Sequence, residues 1–360
     1  MIEIAPDDLH NYVRQVCEGL GSDEREQHLV ADQLIGANLT GHDSHGVGMM
    51  PTYVGVALGG KVTINGGVRV VRDDGAIVVL DGGSAFGQVT GHEATLMAIE
   101  RGREHGLAMV GLRNSFHIGR IGHWGELCAD AGLVSIHFVN VVGHPGLVAP
   151  HGSRRALIGT NPVCIAVPAG PGAGADGRIV LDMATSIIAL GKARVANLAG
   201  TRVPTGSIVD ADGDLTDDPS AMFAEPQGAL VTMGDHKGSG LALMCELLGA
   251  ALFGGPTTTS CEEEGTIINN MLTLVVDPAA TGDLSSMRIL ADDLVSAVRD
   301  MPTRRGVDEV FMPGDPERLA RRERADTIPI DDGTAAQLRW AAKESGSEGA
   351  AELIRSVTGS

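Results

Sequence analysis

Lysine is nearly missing from this chain of 360 residues: only Lys61, Lys192, Lys237 and Lys343 occur. The 27 lysines and arginines together are outnumbered by 46 acidic residues, for a formal net charge of −19. So acidic a chain lacks the clustered cations that nucleic acid or an anionic membrane rewards, which excludes both as partners. Long apolar runs are missing too, and nothing approaches the roughly 18 apolar residues of a membrane span. The first residues, Met1 to Asp8, are acidic and lack the basic flank and apolar segment of a secretory signal. Cysteine is sparse, with five residues, an odd number, and no C-x-x-C pair. Cys17, Cys128 and Cys245 fall in apolar helical patterns and read as core residues of a protein kept in a reducing cytoplasm.

What is present is an ordinary globular composition, 43% hydrophobic, in a chain long enough to form two lobes. Leu9, Val13, Val16, Cys17 and Leu20 keep helical spacing, and Gly21 ends that run. Ser22 or Asp23 caps a second helix, with Glu26 three residues beyond Asp23. From Val68 to Leu80 the pattern is β, closed by the turn Asp81-Gly82-Gly83. A helix is expected at 91–104 and a strand at 107–112, with further strands at 133–142, 156–167, 178–181 and 271–276. More helices are expected at 186–197, 239–252, 286–300 and 334–342, and an arginine-rich helical segment carries Arg318, Arg321, Arg322 and Arg324. Helices at both ends with mixed structure between them suggest that the termini meet in one lobe.

Two motifs mislead. Gly172-Ala173-Gly174-Ala175-Asp176-Gly177 spells the dinucleotide fingerprint GxGxxG, but that fingerprint needs a helix after it. Arg178-Ile179-Val180-Leu181 follows instead and is β in character, so the motif reads as a loop between strands. Asp210-Ala211-Asp212-Gly213-Asp214 resembles a calcium loop. Its sixth and twelfth positions, Leu215 and Ala221, are wrong for one, which leaves a hairpin turn. No H-E-x-x-H motif or Cys/His array elsewhere implies a metal.

Four constellations carry chemistry. Asn114-Ser115-Phe116-His117-Ile118-Gly119-Arg120 follows a short strand, and a histidine held at a sheet rim suits acid/base work near neutral pH. Gly41-His42-Asp43-Ser44-His45-Gly46-Val47 follows the second helix and reads as a polar turn, a metal site or a Ser–His proton relay. Gly159-Thr160-Asn161-Pro162 and Leu181-Asp182-Met183-Ala184-Thr185-Ser186 end strands in small polar residues that can meet a ligand, and Gly191-Lys192 follows. Gly234-Asp235-His236-Lys237-Gly238 opens an apolar helix, and its free amides together with Lys237 suit an anion.

Taken together and in this order, with the late Met312-Pro313-Gly314-Asp315, these motifs resemble the malate/L-lactate dehydrogenase family that lacks a Rossmann fold and that includes cyclic-imine reductases. The likeness covers nearly the whole chain. It implies a cofactor domain on a mainly antiparallel mixed sheet, residues 71–299, and a helical lobe built from 1–70 with 300–360. It also implies a homodimer and hydride transfer between NAD or NADP and a 2-oxo or 2-hydroxy acid. The family's acid/base histidine falls on His117, and the Ser–His relay of the imine reductases on Ser44 and His45. Implied dinucleotide contacts are His45, Arg120, Ile121, Gly122, Asn140, Thr160, Asp182, Met183, Ala184, Lys192, His236, Lys237, Asn269, Pro313, Gly314 and Asp315.

The implied substrate side comprises Arg120, Met49 and Tyr53. Many members carry an arginine shortly after the first histidine motif to clamp the substrate carboxylate, and here that place is Met49. Arg120, three residues beyond His117, is the expected substitute. Met49 as an apolar, adaptable wall points to 2-oxo acids with larger or aromatic side chains. Two other classes remain in view, a cyclic imino acid reductase and malate or L-lactate dehydrogenase proper. A dinucleotide-binding protein without catalysis and a metal-dependent hydrolase built on residues 42–45 are further alternatives. Turnover and a metal assay separate them.

Overall fold

The computed structural model describes residues 1–174 and 176–358, without the side chains of Leu198 and Ala199. Its centre is a seven-stranded mixed sheet with spatial order Arg69–Asp74, Ile77–Asp81, Leu107–Ser115, Ile268–Val276, Val134–Val142, Val163–Pro168 and Arg178–Met183. Only Ile77–Asp81 and Leu107–Ser115 run parallel, joined over the helix Gly87–His105. The other neighbouring pairs are antiparallel. Such a sheet offers no run of parallel strands for a Rossmann crossover, and the fold is mixed α/β of a non-Rossmann kind.

The chain ends close on each other. Ile2–Ile4 pairs antiparallel with Ile328–Ile330. One apolar cluster gathers Tyr12, Val16 and Leu34 from the first two helices, Tyr53 from the helix Met50–Leu58, and Leu338 and Ile354 from the last two. A second cluster, with Leu80, Leu112, Trp124 and Met271, fills one side of the sheet. Phe116 belongs to the first cluster and Ile118 to the second. Burying each of these side chains contributes about 1.5–3 kcal/mol, so both flanks of His117 are anchored, each in a different core.

Local signals explain the element ends. The Asp23 side chain accepts from the Glu26 amide and starts the helix Glu24–Leu39, as its spacing predicts. The expected strand at 156–167 begins only at Val163. Ahead of it, Ile158 makes a single bridge to Val148, and the chain turns at Asn161, φ +32°, before Pro162, which has no amide for a ladder. Val148–Ala149 instead joins a four-stranded sheet with Ala229–Val231, Ile208–Val209 and Leu215–Thr216. The helix expected at 239–252 starts earlier, at His236, and passes into a π-helical stretch, Cys245–Ala250. That stretch buries Glu246, whose carboxylate accepts from Asn140, Asn161 and Thr258.

The two misleading motifs resolve in physical terms. Ala175 of the GxGxxG sequence lies outside the described residues. Around it, Pro171–Ala173 is a short 3-10 turn, and the strand Arg178–Met183 follows rather than a helix. Arg299 donates to the carbonyls of Gly172 and Ala173 and fastens the loop to the helix Leu284–Arg299. In the 210–214 turn, one carboxylate oxygen of Asp210 accepts from the amides of Asp212, Gly213 and Asp214. No helix among the described residues is long and apolar enough to cross a membrane.

Candidate active site

His117 stands on a loop held from several directions. The Ile118 amide donates to Oδ1 of Asn269 at 2.9 Å, and the Ile118 carbonyl accepts from Nε1 of Trp124 and Nε2 of Gln33, both at 3.1 Å. Gly119 has φ +69°, and a side chain there would collide with the Gln33 amide, 1.9 Å away. A left-handed position in so close an approach admits only glycine. Asn269 and Gln33 thus bind backbone and hold the loop. Nothing in the sequence pattern marks Gln33, which lies 85 residues from the carbonyl it serves.

Around His117 the chain assembles four side chains. The ring of His45 stacks on it, with centroids 5.6 Å apart and planes 21° from parallel. Oγ of Ser44 lies 2.9 Å from Nδ1 of His45. On the other side, the Tyr53 hydroxyl is 2.7 Å from Nδ1 of His117 and accepts from Nε2 of Gln88 at 2.8 Å. Burial, then His45 and His144, push His117 down to about 3. Burial, then His42 and Arg120, push His45 down to about 4. Both rings are therefore neutral at pH 7 in this state, and two stacked imidazoles do not readily hold two protons. The structure adds His144, which follows the strand Val134–Val142, to the surroundings of His117.

Several expected site residues occupy different places. Tyr53, expected on the substrate, is wholly buried with its hydroxyl taken up by Gln88 and His117. It is core, because Phe86 and Phe116 pack against its ring. Arg120 is not the free cation a carboxylate clamp needs. Its Nη2 donates to Glu126 at 2.6 Å, and its Nη1 lies 3.7 Å from Asp182. Burial raises Glu126, but the charge and hydrogen bond of Arg120, with Arg178 and His123, together outweigh it and hold that carboxyl low. Asp182 is raised, chiefly by burial, with Arg120 opposing. Asn140 is fully buried and spends its amide on Glu246 and the Pro256 carbonyl. The Ile121 side chain packs in the sheet core. Met49 packs against the helical core, partly exposed.

A second group of expected residues does converge. Gly122 donates its amide to Asp182 at 2.8 Å. A Cβ there would sit 2.2 Å from Nη1 of Arg120, so the backbone approaches this pair as only glycine allows. Arg120, Asp182 and Gly314 line one cavity with Thr40, Arg318 and Arg321. The Nη1 atom of Arg120 is buried there without a hydrogen-bond partner. Glu126, Asp176, Asp182 and Glu317 line the same cavity and Arg318 is paired with Asp176 and Asp315, so the unpartnered Nη1 of Arg120 among carboxylates fits the ribose hydroxyls of a dinucleotide better than its phosphates. Asp315 turns its carboxylate inward to Arg299, Arg318 and the Met312 amide, which shapes the Pro313–Gly314 turn. Met183 and Ala184 are partly exposed at the strand end, and the Thr160 carbonyl accepts from Thr185. The helix Leu190–Ala199 starts against Ser44, whose Cβ is 2.7 Å from where a Cβ on Gly191 would stand. Lys192, His236 and Lys237 are exposed. The ring of His236 meets that of His151 edge-on, and neither ring touches the His45–His117 pair.

The chain matches the model of the malate/L-lactate dehydrogenase family over residues 4–339. It is 45% identical to hydroxycarboxylate dehydrogenase B of Escherichia coli O157:H7 over 347 residues, which cover 94% of this chain and 93% of that one. Among solved structures, a candidate malate/lactate dehydrogenase of E. coli superposes with a TM-score of 0.92 and 41% identity. That alignment covers 100% of this chain and 99% of the other. The delta1-piperideine-2-carboxylate reductase of Pseudomonas syringae pvar. tomato follows the same fold with a TM-score of 0.81 and 30% identity, covering 95% and 100%.

Proposed function

The chain belongs to the malate/L-lactate dehydrogenase family, and we propose that it interconverts 2-hydroxy and 2-oxo carboxylic acids with NAD or NADP, favouring larger or aromatic substrates. The observation that carries this reading is His117, pinned between two cores, neutral at rest, with His45 stacked upon it. When bound, the nicotinamide supplies the hydride that the carbonyl carbon accepts.

His117 places its Nε2 proton toward the substrate oxygen, and Ser44 orients His45 beside it. A substrate carboxylate near these rings draws a proton onto them, since an opposite charge raises a histidine's proton affinity. His117 then gives that proton to the oxygen on which negative charge develops, and takes it back in the oxidative direction. Arg120, Gly122, Asp182, Met183, Ala184 and Gly314 hold the dinucleotide. The preference for larger side chains rests on Met49, which packs against the helical core four residues beyond His45 and keeps part of its apolar side chain exposed. The division into a helical lobe, 1–70 with 300–360, and an α/β domain, 71–299, belongs to the same reading. So does a homodimer, supported by the exposed Leu243, Leu247 and Leu252 on one helical segment and tested by light scattering.

Reduction of a cyclic imino acid is the second reading, favoured by the likeness to the P. syringae reductase and by the Ser44–His45 bond. One assay separates them: oxidation of NADH and NADPH against phenylpyruvate, pyruvate, oxaloacetate and pyrroline-2-carboxylate. Phenylpyruvate as the best substrate supports the first reading, and pyrroline-2-carboxylate as the best supports the second. Absence of turnover with any of them overturns both.

A further inference from the structure

Behind His117 lie two polar side chains that neither the hydride transfer nor the dinucleotide needs to touch. Tyr53 comes from the helix Met50–Leu58 and Gln88 from the first turn of the helix Gly87–His105, and both are buried. Their hydrogen bonds have a direction. An amide nitrogen only donates, so Nε2 of Gln88 gives its hydrogen to the Tyr53 oxygen. The single Tyr53 proton is then free to point at Nδ1 of His117, 2.7 Å away. Nδ1 must be bare to accept it, so the one proton of the neutral ring sits on Nε2. In the same network, Oε1 of Gln88 is buried with no partner.

That unpartnered oxygen is what the opposite polarity requires. If Nδ1 carries a proton, the Tyr53 oxygen must accept it, and the Tyr53 proton must go elsewhere. Rotating the Gln88 amide by half a turn brings Oε1 to the hydroxyl and satisfies it. We propose that Gln88 and Tyr53 form a two-state relay in which the amide's orientation decides which ring nitrogen of His117 holds the proton. With the amide nitrogen toward Tyr53, His117 rests as the Nε2–H tautomer. With the amide oxygen toward Tyr53, Nδ1–H is held in place. Nε2 then cycles between bare and protonated, the pair of forms needed by a base and an acid. In reduction, one proton leaves Nε2 for the substrate oxygen and the Nδ1 proton stays on the ring. In oxidation, the same proton returns to Nε2. No proton crosses to Tyr53, whose hydroxyl burial makes harder to ionise.

The proposal rests on His117 as the acid/base group, and Tyr53 and Gln88 are positioning residues in it. The groups that face His117 are His45 from the 43–45 turn, His144 beyond the strand Val134–Val142, and Tyr53, with His42 and Arg120 acting on His45.

Nitrogen-15 NMR of the full-length protein with labelled histidine reads the tautomer directly, with His117→Ala identifying the signals. Wild type at pH 7.5 should show His117 protonated on Nε2. In Gln88→Glu the carboxylate can only accept, so the proton should move to Nδ1 at the same pH. In the Tyr53→Phe background the same Glu should no longer move the proton to Nδ1, because the hydroxyl that transmits the preference is gone. An Nδ1–H signal in wild type, an unmoved proton in Gln88→Glu, or a move that persists without the hydroxyl would each overturn the relay. If Gln88→Glu does not fold, Tyr53→Phe alone decides: loss of the Nε2–H preference supports the relay, and its retention overturns it. Full turnover in His117→Ala would instead remove the acid/base reading and leave the tautomer result standing.

Discussion

Arg120 shows how far a single residue's partners can redirect its meaning. Three residues past His117, it looks like a cation waiting for a carboxylate, yet Glu126 and Asp182 already hold it. Removing a buried charge from such a set leaves its partners uncompensated, at a cost of about 3–5 kcal/mol. Arg120→Met should therefore lower stability by that amount in urea unfolding at pH 7 and weaken NADH binding through the lost Nη1 donor. A variant of full stability with only a raised KM for the oxo acid would restore Arg120 to the substrate. His117→Ala removes no buried charge; it leaves the Tyr53 hydroxyl without its ring partner, at a cost of about 1–3 kcal/mol, and should leave NADH binding near that of the parent. Its kcat should fall by roughly 10²–10⁴, the span for loss of a general acid. If His45→Ala abolishes turnover while His117→Ala barely slows it, the two histidines exchange roles. At this scale the sequence shows the histidines, because strand-end motifs expose them. It hides Asp182 as a partner of Arg120, since a pairing across 62 residues leaves no local pattern, and Glu126, six residues on, keeps no regular helical spacing to it.

Elements are more legible, and their failures have causes. The Asp23–Glu26 cap, the strand before His117 and the helix Gly87–His105 follow from spacing, because each buries one regular face. The π-helical stretch Cys245–Ala250 does not, since its extra residue per turn is imposed by burying Glu246 among Asn140, Asn161 and Thr258. Two glycines in helices show what close packing adds. A Cβ on Gly87 would lie 2.2 Å from the His117 carbonyl oxygen and 2.5 Å from that of Phe116. Both are backbone, so neither can swing away. Gly87→Ala should cost about 1–3 kcal/mol by overpacking and, by displacing the His117 loop, lower kcat at least about tenfold. Gly36, inside the helix Glu24–Leu39, has nothing within 4 Å of such a Cβ. Gly36→Ala should raise stability by up to about 1 kcal/mol through helix propensity alone, with kcat unchanged. Thermal unfolding and steady-state rates on the two variants check the contrast.

For the whole molecule, buried imidazole predicts how the fold responds to acid. Burial is the leading cause that pushes His45 and His123 down to about 4 and His117 and His137 down to about 3, from an ordinary value of 6.5. These four rings are neutral in the fold, while the unfolded chain protonates them as pH falls through about 6.5. The sign is therefore fixed: stability is complete above that pH and drains away on acidification toward the folded values. Each group contributes up to about 1.4 kcal/mol per pH unit in that window, and the four together up to about 5.6 kcal/mol per pH unit. Carboxyls held low in the fold, such as Glu126 and Glu317, add to the loss at the acid end. Asp182, raised by burial, works against it. A domain with 5–15 kcal/mol in hand should then unfold within one to three pH units below the onset, between about pH 5.5 and 3.5. Urea unfolding from pH 8 to 4.5 should show a plateau above 7 and a steep fall below 6.5. His137 lies between Ser135 and Thr273, apart from the His45–His117 pair. His137→Asn removes one of the four titrating rings and should shallow that fall by about a quarter. Stability that stays flat from pH 6.5 to 4.5 would mean that these rings take up protons without unfolding, and that water reaches the core around His117.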